Sequence, residues 1–364
     1  MKRLSIVHTE SSLGWGGQEI RILCESQGFI RRGHEARILC PGEARIHAEA
    51  PAWGVPAVAL PIARKRLAGL RALAGWFGAN RCDVVNTHSS TDSWLTALAL
   101  AMHRRRIPVV RTRHISAAVP RNPLSRWLYE RAATRIVTTG EALKRQLVEV
   151  NGFSPARIVS VPTGIDAARF RPGNQAAARA ALGLGAERTL VGIVATLRSW
   201  KGHRTLLEAM ALLPPSIALI VVGDGPQRAL LERQIGELAL GERVLMAGNQ
   251  ADVLPWLHAL DVFALPSYAN EGVPQALVQA MLCGLPCVTT LAGSISELAT
   301  HEASALVVPP RDAEALAAAI LRLTEDPGLR RDLGEAARRH CAENFTYERM
   351  LDRMERVYCD AMRL

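Results

Sequence analysis

The chain has 364 residues, 49% hydrophobic and 21% charged, which excludes a disordered or collagen-like polymer and makes two domains the first expectation. Its net charge of +10 is unevenly placed: residues 1–175 carry 26 Lys and Arg against 12 Asp and Glu, and the remainder 18 against 22. A basic half suits nucleic acid, an anionic membrane surface, a phosphorylated substrate or simply an arginine-rich surface, and charge alone does not choose among them.

Met1-Lys2-Arg3 runs directly into a strand-like segment and not into a signal-peptide core. No stretch reaches the roughly 18 apolar residues that a spanning helix needs, so a cytoplasmic protein is expected. In the first half the predicted strands are Leu4 to His8, Ala36 to Cys40, Ala57 to Leu60, Asp83 to His88, Val109 to His114, Arg135 to Thr139 and Ile158 to Val161. After the first of them, Leu13-Gly14-Trp15-Gly16-Gly17-Gln18-Glu19 opens a helix whose free amides suit phosphate. This turn is not GxGxxG, which lowers the odds of a dinucleotide dehydrogenase.

Residues Ile62 to Phe77 place Leu67, Leu70, Leu73, Ala74 and Phe77 on one helical face, with Arg64, Lys65, Arg66 and Arg71 at or near the other. Such a helix either lies on an anionic leaflet or packs its apolar face on its own sheet and leaves the basic face free. Arg104, Arg105, Arg106, Arg113, Arg121 and Arg126 extend that cationic surface. Asn86-Thr87-His88-Ser89-Ser90 and Arg111-Thr112-Arg113-His114-Ile115-Ser116 each end a strand.

Phe170-Arg171-Pro172-Gly173-Asn174 breaks both periodicities and predicts a hinge near residues 168–185. Further strands follow at Leu190 to Ala195, Ala218 to Val222, Val244 to Ala247, Val262 to Leu265, Cys287 to Thr290 and Ala305 to Val308. Strands alternating with helices in both halves make two doubly wound units in series. The expected domains are 1–170, 171–345 and a terminal helix, 346–364, that packs back on the first, with Thr346 capping it.

Open parallel sheets bind ligands beyond the carboxyl ends of their strands. In the second half three loops stand there: Ala195-Thr196-Leu197-Arg198-Ser199-Trp200-Lys201-Gly202, Val222-Gly223-Asp224-Gly225-Pro226, and Glu271-Gly272-Val273-Pro274-Gln275 leading towards Gln279. A cation at Lys201, an anion at Glu271 and glycine amides between them describe a pocket for a phosphate ester bearing hydroxyls. The seven cysteines are scattered and odd in number, and read as buried thiols. Cys283 and Cys287 lack the neighbours that a zinc site needs.

In this order and spacing, Pro162-Thr163-Gly164-Ile165-Asp166 with Phe170-Arg171-Pro172, the VGDGP loop and the EGVPQALVQAM stretch resemble a retaining glycosyltransferase of family 4. The resemblance covers nearly the whole chain. It implies the α/β GT-B fold, two facing Rossmann-like domains with a deep cleft between them. It further implies a nucleotide-sugar donor, UDP-sugar favoured, held mainly by the second domain, with no metal or other cofactor. Donor contacts then fall to Gly16, Gly17, Thr196, Arg198, Lys201, Gly223, Gly225, Glu271, Gly272, Val273 and Gln279. His114, Lys201 and Glu271 take the catalytic places, and His88 and Arg113 stand on the acceptor side.

Two positions depart from the family pattern. Gln279 stands where a second glutamate is usual, and its amide oxygen still accepts from ribose hydroxyls without charge. Thr196 stands where an arginine is usual, and Arg198 either replaces it or faces solvent. No two Asp residues are spaced i, i+2, so the DxD metal site of the other main glycosyltransferase fold is absent. The basic first half makes the expected acceptor anionic and lipid-linked, as in lipopolysaccharide or another surface-glycan precursor, met at the inner leaflet. Sparse aromatic residues and the lack of a zinc-finger or RNP motif argue against nucleic acid. A nucleotide-sugar epimerase of the same fold and a non-catalytic homologue are the rival readings.

Overall fold

A computed structural model describes residues 3–103, 106–114, 118–269 and 271–363. The chain divides into two compact units, one built from residues up to Thr163 together with those from Glu348 onward, the other from Gly164 to Tyr347.

The first unit holds a seven-stranded parallel sheet: β1 (Ser5–Thr9), β2 (Glu35–Cys40), β3 (Ala57–Ala59), β4 (Val84–Thr87), β5 (Val109–Arg113), β6 (Arg135–Thr138) and β7 (Ile158–Ser160). Its order is β3-β2-β1-β4-β5-β6-β7. The chain thus winds outwards from β1 in one direction and from β4 in the other, and the reversal opens a crevice at the carboxyl ends of those two strands. All four residues of β4 are buried, polar Asn86 and Thr87 included, as expected of a parallel strand covered on both faces. The helices that matter here are α1 (Gly17–Arg31), α2 (Leu67–Ala79) and α3 (Ser90–Met102). A capping box starts α3: the Ser89 side chain meets the backbone of the first turn, and Asp92 accepts from the Ser89 amide at 2.8 Å.

The basic segment from Ile62 becomes helical only at Leu67. Leu73, Ala74 and Phe77 are buried against the sheet, which supports the crossover reading of this face. Leu67, placed on that face from the sequence, is 58% exposed at the first position of the helix. Arg64, Lys65, Arg66, Arg71, Arg106, Arg121 and Arg126 are exposed; Arg104, Arg105, Ile115 and Ser116 lie outside the described residues.

The second unit holds six parallel strands, β8 (Thr189–Val194), β9 (Ile217–Val222), β10 (Val244–Gly248), β11 (Val262–Leu265), β12 (Cys287–Thr289) and β13 (Leu306–Val307), in the order β10-β9-β8-β11-β12-β13. Here the reversal lies between β8 and β11. Flanking helices include α4 (His203–Leu212), α5 (Gln275–Leu282) and α6 (Pro327–Asn344). One continuous apolar core joins sheet and helices.

The segment expected as a hinge, residues 168–185, belongs wholly to this second unit. Phe170 is buried in its core, the Asp166 carboxylate turns the chain by accepting from the amides of Ala168 and Arg169, and Arg179 pairs with Asp261 at 2.6 Å. The chain instead changes unit at Thr163/Gly164 and again at Tyr347/Glu348. The two crossings run side by side: Ile165 donates to the Phe345 carbonyl, the Tyr347 amide donates to Ile165, and Ile165 bridges Thr346.

The last helix, α7 (Tyr347–Met362), completes the first unit. It buries Met350, Leu351, Met354, Val357, Tyr358 and Ala361. Arg32 of that unit meets Glu348, Asp352 and Glu355 along it. Fully buried Arg21 donates to the Val161 carbonyl at 2.7 Å and to Thr163, and pairs with Glu25 at 3.6 Å. The Tyr358 hydroxyl donates to the same Glu25 carboxylate and accepts from Asn86 at 2.9 Å.

Candidate functional site

In the second unit the loops after β8, β9 and β11 are laced together by their backbones. Leu197 donates to the Asp224 carbonyl and accepts from Gln227, and Tyr268 donates to the Trp200 carbonyl. The glycines make this closeness feasible. A Cβ on Gly223, whose φ is +138°, would stand 2.1 Å from the Ala195 carbonyl oxygen, and one on Gly202, φ +79°, 2.0 Å from that of Pro266.

Within this frame Lys201 Nζ lies 2.8 and 2.9 Å from the two carboxylate oxygens of Glu271, and Ser267 Oγ donates to the same carboxylate at 2.6 Å. The Glu271 side chain is only 5% exposed and that of Lys201 19%, so this is a partly desolvated ion pair at the strand ends beside the sheet reversal. An ammonium has three N–H groups, which leaves donor capacity for a further anion. Burial, reinforced by Lys201, pushes adjacent His203 down to about 4, so its imidazole stays neutral there.

Gly272 and Val273 are buried behind Glu271, and Gln279 is half-buried one turn into α5. Gly225 packs against the Leu197 backbone. Thr196 and Arg198 are exposed, and the Arg198 guanidinium sits 5.9 Å from the centre of the Trp200 ring. Arg311, not singled out from the sequence, stacks 4.0 Å over Tyr268 on the loop that carries Glu271.

The first unit has its own polar cluster at the corresponding strand ends. Gly16 and Gly17 begin α1 with no side-chain cap. His88 is buried between two other histidines: its Nδ1 is 2.9 Å from His114 Nε2, and its Nε2 is 2.9 Å from His8 Nδ1. Burial holds all three below the ordinary histidine range, and Arg21 adds to this in each. Arg113 donates to the Tyr129 hydroxyl at 2.8 Å.

Beneath the glycine turn, buried Glu10 accepts from the Ser12 amide, Gln18 and Ser89. Burial and neighbouring Asp92 push it up to about 8. Asp92, raised by burial to about 6, accepts from the amides of His88 and Ser89. His8, Glu10 and Asp92 escaped the sequence reading. Their only local signal is the polar run His8-Thr9-Glu10 closing an otherwise apolar strand.

Two doubly wound parallel sheets, one with a paired lysine and glutamate at its strand ends, define a protein of the GT-B glycosyltransferase class. Residues 174–340 match the family described as glycosyl transferases group 1, and residues 15–169 match glycosyltransferase family 4. The D-inositol 3-phosphate glycosyltransferase of Saccharomonospora viridis is 31% identical over 309 residues, 77% of this chain and 70% of that protein. The chain spans 63% and 64% of the same-named proteins of Mycobacterium marinum and Rhodococcus jostii. Among solved structures, a glycosyltransferase from Rickettsia africae superposes with a TM-score of 0.88 at 19% identity, covering 100% of this chain and 99% of that one. Anabaena HepE, in complex with UDP and glucose, gives 0.86 at 23%, covering 97% and 99%. The chain belongs to the group 1, family 4 glycosyltransferases.

Proposed function

We propose that this protein moves a hexosyl group, with retention, from a nucleoside diphosphate sugar to a phosphate-bearing polyhydroxylated acceptor. The Lys201–Glu271 pair is the observation that carries the reading. Lys201 offers its spare N–H to the diphosphate and compensates charge as the leaving group departs, while Glu271 turns towards hydroxyls of the migrating sugar. Glycine-loop amides, Arg198 and the Gln279 amide oxygen complete the donor site, and a fixed ammonium makes a metal unnecessary for the leaving group. UDP is the favoured nucleotide, consistent with the UDP held by the HepE structure.

The first unit takes the acceptor, with His88 and Arg113 on that side and His114 in a catalytic place, while Gly16 and Gly17 at its helix start add contacts to the donor. Its surplus of exposed arginines favours an anionic partner. The relatives are named for D-inositol 3-phosphate, a phosphate beside ring hydroxyls. A lipid-linked surface-glycan precursor met at the inner leaflet offers the same chemistry on an anchor. No helix among the described residues is long and apolar enough to cross a membrane.

The test is a melting-temperature screen of UDP, GDP, ADP and their sugars, followed by transfer of label from the stabilising donor. A ligand at a hundred times its Kd adds about 2.7 kcal/mol to the native state. We expect a UDP-sugar to give the largest rise, and label to pass to a phosphorylated polyol, free or lipid-linked. No rise with any nucleotide, or equal transfer to uncharged polyols, would defeat the proposal.

A further inference from the structure

The three histidines of the first unit form an unbroken line. His8 is fully buried in β1, His88 directly follows β4, and half-buried His114 directly follows β5 at the strand-end rim. Adjacent ring centres are 5.2 Å apart at both steps. Each contact is a 2.9 Å nitrogen-to-nitrogen hydrogen bond.

A neutral imidazole carries one N–H, so each bond needs its hydrogen from one side or the other. If His88 holds its hydrogen on Nε2, it donates to His8 and must accept from His114 Nε2; the outer atoms are then His8 Nε2–H and a bare His114 Nδ1. If His88 holds it on Nδ1, everything reverses. Only these two states satisfy both bonds, and the inner end selects between them. His8 Nε2 is buried without a hydrogen-bond partner, and so is Glu25 Oε2, whose neighbour is the Arg21 guanidinium 3.6 Å away in an ion pair. The charged groups acting on His8 are Glu25 and, more weakly, Arg21; on His114 at the outer end they are Arg21 and then Arg113, both cations. A carboxylate that outweighs the guanidinium favours an N–H at His8 Nε2.

We propose that His8, His88 and His114 work as one hydrogen-bonded chain, polarised by Glu25, that holds each ring as the Nε2–H tautomer and presents the bare Nδ1 of His114 as an acceptor for a substrate hydroxyl. His8 and His88 are positioning residues. The inference rests on reading His114 as a site residue, and assigns it a role as acceptor and not donor.

Nitrogen-15 NMR of the full-length protein labelled at histidine tests it. The expected pattern is Nε2–H at all three rings, unchanged across neutral pH, with scalar couplings across both N–H···N bonds. An Nδ1–H at any of the three, or ordinary titration, overturns it. His8→Phe should introduce the other tautomer at His114 and lower kcat at least about tenfold, since a wrongly set tautomer is costly, with donor KM within about twofold. His8→Asn, whose Oδ1 stands in for Nδ1, should restore most of kcat. A fall in melting temperature alone, with kcat kept, or no rescue by Asn, overturns the positioning role. Full kcat in His114→Ala would remove His114 from the site while leaving the tautomer pattern standing, so the two failures are distinguishable.

Discussion

Lys201 and Glu271 each depend on the other for more than chemistry. With the Glu271 carboxylate almost wholly enclosed, Lys201→Met leaves a buried anion that, among the described residues, keeps the Ser267 hydroxyl as its side-chain partner. We expect a loss of about 3 kcal/mol in denaturant unfolding and a fall in transfer of about a hundredfold or more. Glu271→Gln in the same chain should return most of the stability and none of the activity, and this cycle separates the two roles. Recovery of transfer in the double variant would show that the pair does not act on substrate. The pair was legible in the sequence because each residue follows a strand and sits in a glycine-marked loop. Arg311 was not, since only folding brings it over Tyr268.

At the scale of elements, the turn between β1 and α1 is pinned to the start of α3 through Glu10, whose carboxyl gathers Ser12, Gln18 and Ser89. Its folded pKa, about 8, lies above the ordinary 4.5. The fold therefore favours the protonated carboxyl. That stabilisation is complete below the unfolded value and is lost as pH rises through about 8. Melting temperatures should decline over this range, and Glu10→Gln, which keeps an acceptor without a charge, should flatten the decline; an unchanged slope would refute the assignment. Apolar runs bounded by turn residues located the thirteen strands of the described residues, with small differences at their ends. The expected hinge was misplaced because Pro172-Gly173 reads as linker chemistry, whereas Phe170 and Arg179 anchor that stretch into the second core. The histidine line and the Glu25 network were hidden for another reason: Tyr358 and Glu25 meet across 333 residues of chain, and no local pattern marks such a pair.

Across the whole molecule, the second unit is one uninterrupted stretch with its own core, and the first is assembled from both ends of the chain. A polypeptide of residues 164–347 should therefore unfold cooperatively by itself, whereas residues 1–163 alone should not, since Phe29, Asn86 and Glu25 would lose their cover from α7. Circular dichroism melts of the two pieces decide this, and a cooperative melt of residues 1–163 would contradict it. Within the intact protein, Tyr358→Phe removes a hydroxyl donor from the buried Glu25 carboxylate, which keeps Arg21, and should cost about 1–3 kcal/mol.

The return of α7 also orders events at the ribosome. Synthesis proceeds from the amino end, and domains ordinarily mature in that sequence. Here the earlier-made body waits for α7, which is synthesised after the whole second unit, so the later-made body matures ahead of it. Until then the nascent chain carries an uncovered seam along α1 and β4, and a premature stop codon before residue 348 damages the part of the protein translated first.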